Sequence, residues 1–451
     1  MAKEDLGSPE RKGRGKKRVI QPNAAGIDLG ARNHYVALPP DRGEPVRCFE
    51  PFTEDLLEMA DWLVLHGVTT VALEATGVYW VPVYQVLERA GLEVQLVNAR
   101  HYSNVPGRKT DVSDCQWLQH LHECGLVRGS FRPEDAICVV RSFTRQRDTW
   151  VQESSRHMLR MQKALEQMNV QLHKVVSNIM GKTGQGIIKA IMSGERDPKV
   201  LARLRDRRCR KSEEEICRAL RGDWREEHLF CLRQSYEAYE FMQARIAECE
   251  QAALAKWQAM ASKPGDGEPP GGNGARGHDI TQELIRVTGV DLFAVEGLGP
   301  GLVPKLLAET GLDMSAWPTD KHFASWAGLC PPNRITGGRR FRAGRPAKRS
   351  RIAQLFKMAA QGVANSKTAL GAFYRRMRAK RGSSIANDAT AHKLAKIFYR
   401  LLRHGHEYVA RSVAYYDDLY RERLTRTALK TLKRLGVAVQ VAPAEEATLG
   451  S

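Results

Sequence analysis

Between Ala25 and about Leu126 the chain alternates short apolar runs with segments of helical period. GIDLG, HYVALPP, TTVALEA and VQLVNA read as strands, and DLLEMADWLVLHG, VPVYQVLERAG and VSDCQWLQHLHECG as helices. Gly67, Gly91 and Gly125 each follow a helix, where a left-handed closing residue is expected. This order predicts an α/β domain. From about 135 to 260 the pattern changes to long, charged helices. There Met161, Leu165, Met168, Leu172, Val175 and Ile179 recur in alternating steps of four and three, which is a heptad seam. A seam needs a partner, either the helical stretch around Leu232, Tyr236, Tyr239 and Ile246 or the same helix of a second chain. KPGDGEPPGGNGARG, residues 263–277, reads as a flexible or extended linker. VEGLGPGLVPKLLAETG, residues 295–311, reads as helix, Gly-x-Gly turn, helix. The fold class expected is therefore α/β plus all-α. Its divisions are a disordered basic arm at 1–22, an α/β domain at 23–130, a helical region at 131–262, a linker at 263–278, a mainly helical C-terminal domain at 279–412 and a tail at 413–451.

Composition narrows the partners. A chain of 451 residues, 42% hydrophobic, has room for two or three ordinary cores, but Lys and Arg exceed Asp and Glu by enough to leave a net charge of +19. That excess favours a polyanion, most simply nucleic acid. No apolar run approaches the ~18 residues that span a bilayer, and the opening MAKEDLGSPERKGRGKKR lacks the apolar core of a signal peptide, so a cytoplasmic protein is expected. The nine cysteines are scattered with no CxxC pair, which fits neither a disulfide frame nor a zinc site.

The chemistry lies in acids placed where burial penalises charge. Asp28 interrupts the apolar GIDLG, and Glu74 ends the apolar TTVALEA. Asp111 and Asp114 sit three apart at the opening of a helix, hence on one face. Open α/β sheets place their sites beyond the carboxyl ends of the strands, where these four acids can meet. Such a set suits two Mg2+ ions about 3.5–4 Å apart, which activate an attacking oxygen and stabilise a leaving one in phosphodiester displacement. Taken singly, Asp111 can instead serve as a helix cap or first-turn acid, and Asp28 can open a turn.

A second set faces nucleic acid. Gly297 and Gly299 would let backbone approach closely at the helix-hairpin-helix, with the next helix's N–H groups holding a phosphate; a plain helical hairpin also favours glycine. From Arg339 to Arg381 there is no Asp or Glu, while Arg339, Arg340, Arg342, Arg345, Lys348 and Arg349 accumulate within a few turns of chain. That segment can track a phosphate backbone, with Phe341 available for stacking. Thr336, before two glycines and this arginine cluster, offers a hydroxyl that could act as a nucleophile whose attack on phosphorus the cations would stabilise; threonine is equally commonplace in an ordinary loop.

GIDLGARNHYVAL, ALEATGVYW, GRKTDVSDCQWL, the 295–311 hairpin, SWAGLCPPNRITGGR, GAFYRRMRAKRG and ATAHKLAKIFYRLL follow one another across residues 24–405. In that order the chain resembles the DEDD transposases of bacterial insertion sequences of the IS-one-ten type. The resemblance implies a RuvC-like (ribonuclease H-like) N-terminal domain with Asp28, Glu74, Asp111 and Asp114 as its acidic tetrad, a helical coiled-coil insertion and a C-terminal transposase domain. It further implies DNA as substrate, Mg2+ as cofactor, guidance by a structured RNA from the element itself, and a homo-oligomer, dimer or tetramer, whose composite site joins the tetrad to a serine nucleophile. Here the serine position holds Thr336, so either Thr336 attacks or this copy is impaired; Ser325 and Ser350 are nearby but do not align. The alternatives are a RuvC-like metal-dependent nuclease acting on branched DNA, or a catalytically impaired nucleic-acid-binding relative.

Overall fold

Five short strands pair into one sheet in the computed structural model of the protein: β1 (Ala24–Leu29), β2 (His34–Ala37), β3 (Val46–Phe49), β4 (Thr70–Glu74) and β5 (Glu93–Val97), in the order β3-β2-β1-β4-β5. β2 runs antiparallel to β1 and β3, whereas β4 runs parallel to both β1 and β5. The structure describes residues 19–75, 77–98, 111–263, 278–330, 333–336, 339–342 and 350–436. They fall into two compact units that divide between Arg132 and Pro133. The basic arm up to residue 18 and the linker from residue 264 to 277 lie outside the described residues.

In the first unit the alternation of each strand assigns its faces. Ile27, Leu29, Val36, Val71 and Leu73 are buried against α1 (Thr53–Leu65) and α2 (Trp80–Arg89), through Leu56, Met59, Leu63, Val83 and Leu87. The opposite face is covered by α3 (Asp111–Glu123), whose Leu118 packs on Ala72 and Val97. α3 comes so close to β1 that a Cβ added at Gly26 would lie 2.3 Å from the Gln119 backbone nitrogen and 2.5 Å from the Cys115 carbonyl oxygen. The Gln119 side-chain amide donates to the Ala24 carbonyl at 3.2 Å, fastening the helix to the same strand. Gly67, Gly91 and Gly125 close the three helices at φ of 66°, 82° and 66°. β3 escapes the sequence pattern because it is a four-residue edge strand, held by its register with β2 (Tyr35 opposite Cys48) rather than by an apolar run of its own.

His122 is buried under the sheet, its Nε2 2.9 Å from Thr70 Oγ1. Burial pushes its pKa down to about 4, against a smaller upward pull from Glu93.

The second unit is built on two 33-residue helices, α4 (Asp135–Gln167) and, after α5 (Leu172–Val175), α6 (Lys182–Met192), α7 (Pro198–Ala202) and α8 (Glu213–Ala219), α9 (Glu226–Gln258). They run antiparallel: Gln243 donates to Ser154 at 2.8 Å and Arg147 pairs with Glu250 at 2.7 Å. The heptad seam expected from Met161 to Ile179 is not one continuous helix. α4 ends at Gln167, Asn169 takes φ 54°, and the chain turns back. Gly222 makes this turn possible, since a Cβ there would sit 2.4 Å from the Met168 carbonyl oxygen. Met161, Leu165, Met168, Leu172 and Ile179 are nevertheless buried, in a helical core completed by Ile187, Ile191, Ile216, Leu232 and Tyr236. The partner of the seam within the chain is therefore α9.

Beyond residue 277 follow α10 (His278–Thr288), α11 (Val303–Thr310), α12 (Asp320–Trp326), the antiparallel pair β6 (Asn333–Thr336) and β7 (Arg339–Arg342), α13 (Arg351–Gly362), α14 (Ala369–Arg381) and α15 (Ser383–Arg434), which is interrupted at Gly405 with φ 78°. Phe323 is the hub of their core, in ring contact with Trp317, Phe356 and Phe398. The helix expected at the start of 295–311 does not form: residues 295–302 make turns, and the preceding helix is α10. α11 is held to α4 by Glu309, nearly buried, which receives a two-pronged bond from Arg145 at 2.9 and 2.7 Å. Arg351, first residue of α13, reaches the same carboxylate at 3.2 Å and also pairs with Asp148 of α4, which Lys305 of α11 approaches to 2.6 Å.

Two outcomes follow from this packing. Gly26→Ala should lower the stability of the first unit by about 1–3 kcal/mol, the usual cost of overpacking, and thermal unfolding at wild-type temperature would contradict so close an approach of α3. The unfolded chain protonates His122 near the ordinary histidine value, whereas the folded chain resists until about pH 4. Its contribution to stability is then complete above about pH 6.5 and declines as the pH falls toward 4. Denaturant midpoints measured across that window should fall less steeply in His122→Gln than in the wild type.

Candidate functional site

Asp28 is the penultimate residue of β1 and Glu74 the last of β4. These strands are parallel with Ile27 opposite Leu73, so the two acids stand side by side at the carboxyl end of the sheet. Alternation puts Asp28 on the face of Gly26 and Glu74 on the face of Ala72, which is the face α3 covers. α3 opens with Asp111, exposed, and Asp114, half-buried, and the tight seat at Gly26 brings that first turn over the strand ends.

Two neighbouring side chains register the acids' charge. Cys115, fully buried, has its thiol pushed up to about 12 by burial first, with Asp28 and then Asp114 adding to the effect. Tyr35 is the register partner of Asp28. Its phenol is raised above the ordinary value by the Cys48 sulfur first, then by burial, with Asp111 contributing. Three of the four acids thus act on side chains that adjoin Asp28, and the fourth is placed by strand register. The sequence reading places neither Tyr35 nor Cys115 at the site, taking Cys115 only as one of the scattered cysteines. Their signals were present all the same, in the short β1–β2 connection that sets Tyr35 opposite Asp28 and in the position of Cys115 next to Asp114.

The donor set consists of carboxylates, with no thiolate or imidazole among the four, and hard oxygen donors of this kind fit Mg2+ rather than a softer metal. Among the described residues no three Asp, Glu, His or Cys side chains converge as closely as the ligands of one ion.

Thr336 closes β6 opposite Arg339, with Ile335 opposite Arg340 and Asn333 opposite Arg342. The strands are joined by Gly337 and Gly338, which lie outside the described residues, as do Arg345, Lys348 and Arg349. Ser350 is committed elsewhere: its hydroxyl donates to the Ala327 carbonyl at 2.6 Å and accepts from the Ala353 N–H as the cap of α13. Gly297 has φ 88°, and a Cβ on it would lie 2.8 Å from the Ala359 carbonyl oxygen, so α13 alone accounts for glycine at this position. Gly299 faces no neighbour within 4 Å, and its carbonyl accepts from Leu302 and Val303 as α11 begins.

Among the described residues no helix is long and apolar enough to cross a membrane. No curated protein matches the chain. Residues 25–170 match the family model for the transposase DEDD domain of the IS110 type, and residues 291–375 match the model described as transposase, IS116/IS110/IS902 family. The first match holds the strand ends and helix turn that carry the four acids, the second holds Thr336 and its arginine partners, and the chain belongs to the IS110-type DEDD transposases, enzymes that cut and rejoin DNA.

Proposed function

We propose that this transposase is an Mg2+-dependent recombinase that excises and integrates its element under guidance by a structured RNA, working as a homo-oligomer, dimer or tetramer. The observation that carries the reading is the gathering of Asp28 and Glu74 at one sheet end beneath the turn that bears Asp111 and Asp114. The strand order β3-β2-β1-β4-β5 with β2 antiparallel supports a ribonuclease H-like, RuvC-like domain. Asp28, Glu74, Asp111 and Asp114 would hold the metal, which when bound supplies activation of an attacking oxygen and stabilisation of a leaving one.

The chain's own residues divide the remaining work. β1 and β4 fix two carboxylates on rigid backbone, and α3 presents the other two from its first turn, where a negative charge also complements the helix dipole. The Thr336 hydroxyl is the nucleophile. Its oxygen bonds to the scissile phosphorus as its proton departs, and the sugar oxygen leaves with a proton, so one phosphodiester is exchanged for one protein–DNA phosphoester. A deoxyribose hydroxyl then attacks the same phosphorus and releases Thr336, rejoining the strand without loss of ends. Arg339, Arg340 and Arg342 place cationic residues on the strand paired with Thr336, where they offset charge developing on the phosphate oxygens. Together with Arg345, Lys348 and Arg349 they hold the DNA backbone, and Gly297 and Gly299 form the turn that leads α11 toward a phosphate. The threonine methyl narrows the rotamers open to the attacking oxygen relative to serine.

Incubation with labelled element-end DNA and Mg2+, followed by denaturation, should trap protein covalently attached to DNA, and the adduct should vanish in Thr336→Ala. Free ends that survive Thr336→Ala but disappear in Asp28→Ala would instead identify a RuvC-like nuclease of branched DNA, and binding without cleavage would identify an impaired relative. Asp114→Asn should abolish cleavage and Mn2+ binding while changing stability by only about 0.3–1 kcal/mol, the worth of a first-turn acid. Unfolding of that variant would show Asp114 to be a structural residue.

A further inference from the structure

Far along the chain from the arginines of β7 lies a second concentration of positive charge that the proposed chemistry does not use. Residues 199–211, which run from α7 to the cap of α8, carry seven Lys and Arg against a single acid, Asp206. That acid is already engaged. Its carboxylate accepts from Lys182 Nζ and Arg208 Nε, each at 3.1 Å, and from the Arg208 backbone N–H at 3.0 Å. These contacts, the Arg208 N–H foremost, hold its carboxyl down to about 2.

The turn is built rather than loose. The Asp206 N–H donates to the hydroxyl of buried Thr183 at 3.0 Å, Arg205 donates to the Cys209 carbonyl at 2.8 Å, and the Cys209 N–H returns to the Asp206 carbonyl at 2.9 Å. Lys199, Arg203, Arg207 and Arg210 are exposed, and among the described residues none of the four makes an ion pair. Lys182 and Arg208 keep 78% and 79% of their side chains in solvent even while bound to Asp206. The nearest run of acids, Glu213 to Glu215, opens α8, and Glu215 there is occupied by Lys211 and by the capping box with Ser212.

A rigid turn that crowds unpaired cations raises their mutual repulsion and gains nothing in folding, so the arrangement makes sense when a polyanion supplies the missing charge. Fixed backbone also lowers the ordering cost of each phosphate contact. We propose that the 199–211 turn is a second binding site for the phosphodiester backbone of nucleic acid, separate in sequence from the β6–β7 segment and indifferent to base sequence. The inference rests on the reading of the protein as a nucleic-acid recombinase, and it adds a contact surface on the helical region.

The experiment uses the full chain with two probes of equal length, a DNA duplex and a hairpin RNA, and measures Kd as a function of salt. Replacing Arg203, Arg207 and Arg210 together by Gln should reduce the slope of log K against log salt by about 2 to 3, near 0.9 per lost phosphate on duplex DNA and somewhat less where the contact falls on the single-stranded loop of the RNA hairpin. The matching triple Lys variant should retain the wild-type slope, which a merely structural role for the guanidinium groups would not allow. If the triple Gln variant fails to fold, the single Gln variants should each lower the slope by about one. A reduction on DNA alone assigns the turn to the substrate, and one on RNA alone assigns it to the guide. Unchanged slopes on both probes, in a protein whose Arg339→Ala/Arg340→Ala variant does lose slope, would overturn the proposal and leave the recombinase reading intact. A wild-type chain that binds neither probe would overturn both.

Discussion

The approach of α3 to β1 at Gly26 is the contact on which the arrangement of the first unit's four acids depends. Backbone atoms of the helix occupy the volume that any side chain at this position would need. Because the helix is seated here, its first turn overhangs the carboxyl ends of β1 and β4, and carboxylates from three separate stretches of chain come to one sheet end. The sheet that carries these residues is packed on both sides: Ile27, Leu73, Met59 and Leu87 on one face and Ala72 and Leu118 on the other are essentially dry.

The second unit relies on a different sort of interaction. Glu309 and Asp148 are surrounded by Arg145, Arg351 and Lys305, and these pairs join α4, α11 and α13. In a chain with so large an excess of cations, two sheltered carboxylates are effective fasteners, because each has several cationic partners within reach, Arg351 being shared between them. Removing one partner of such a group would leave charge uncompensated in a poorly hydrated place. The network also sets the start of α13, which immediately follows the basic segment ending at Arg349. The first residue of α13 is thus fixed by ion pairing, and by the Ser350 cap beside it.

Much of the α/β unit could be read from local pattern, since its strands and helices are short, strongly apolar on one face and closed by glycines that do adopt positive φ. β3 was not legible, because a four-residue edge strand is selected by pairing with β2 and not by its own sequence. The heptad reading found five buried residues, with Val175 only partly buried, but the wrong shape. Periodicity reports which side chains are apolar at helical spacing, and it carries no information on whether Asn169 and Gly222 will let the chain reverse. At 295–311 the glycines marked a turn correctly, yet the helix expected before it is absent, since φ 88° at Gly297 and the pressure of α13 favour consecutive turns there.

By itself the sequence determined which residues are unusual for their surroundings: acids ending apolar strands, a hydroxyl before paired glycines, a basic stretch without a compensating acid, and a surplus of positive charge over the whole chain. Those are properties of composition and neighbourhood, and they survive without any knowledge of the fold. Only the tertiary structure decided that Asp28 and Glu74 are lateral neighbours, that α3 lies on their face, that α9 accompanies α4 within this molecule, and that Lys199, Arg203, Arg207 and Arg210 stand on a rigid turn with no ion pair among the described residues. The reason is physical: proximity between residues distant in the chain arises from the burial of apolar faces and the pairing of backbone groups, and neither is written at the positions that are brought together.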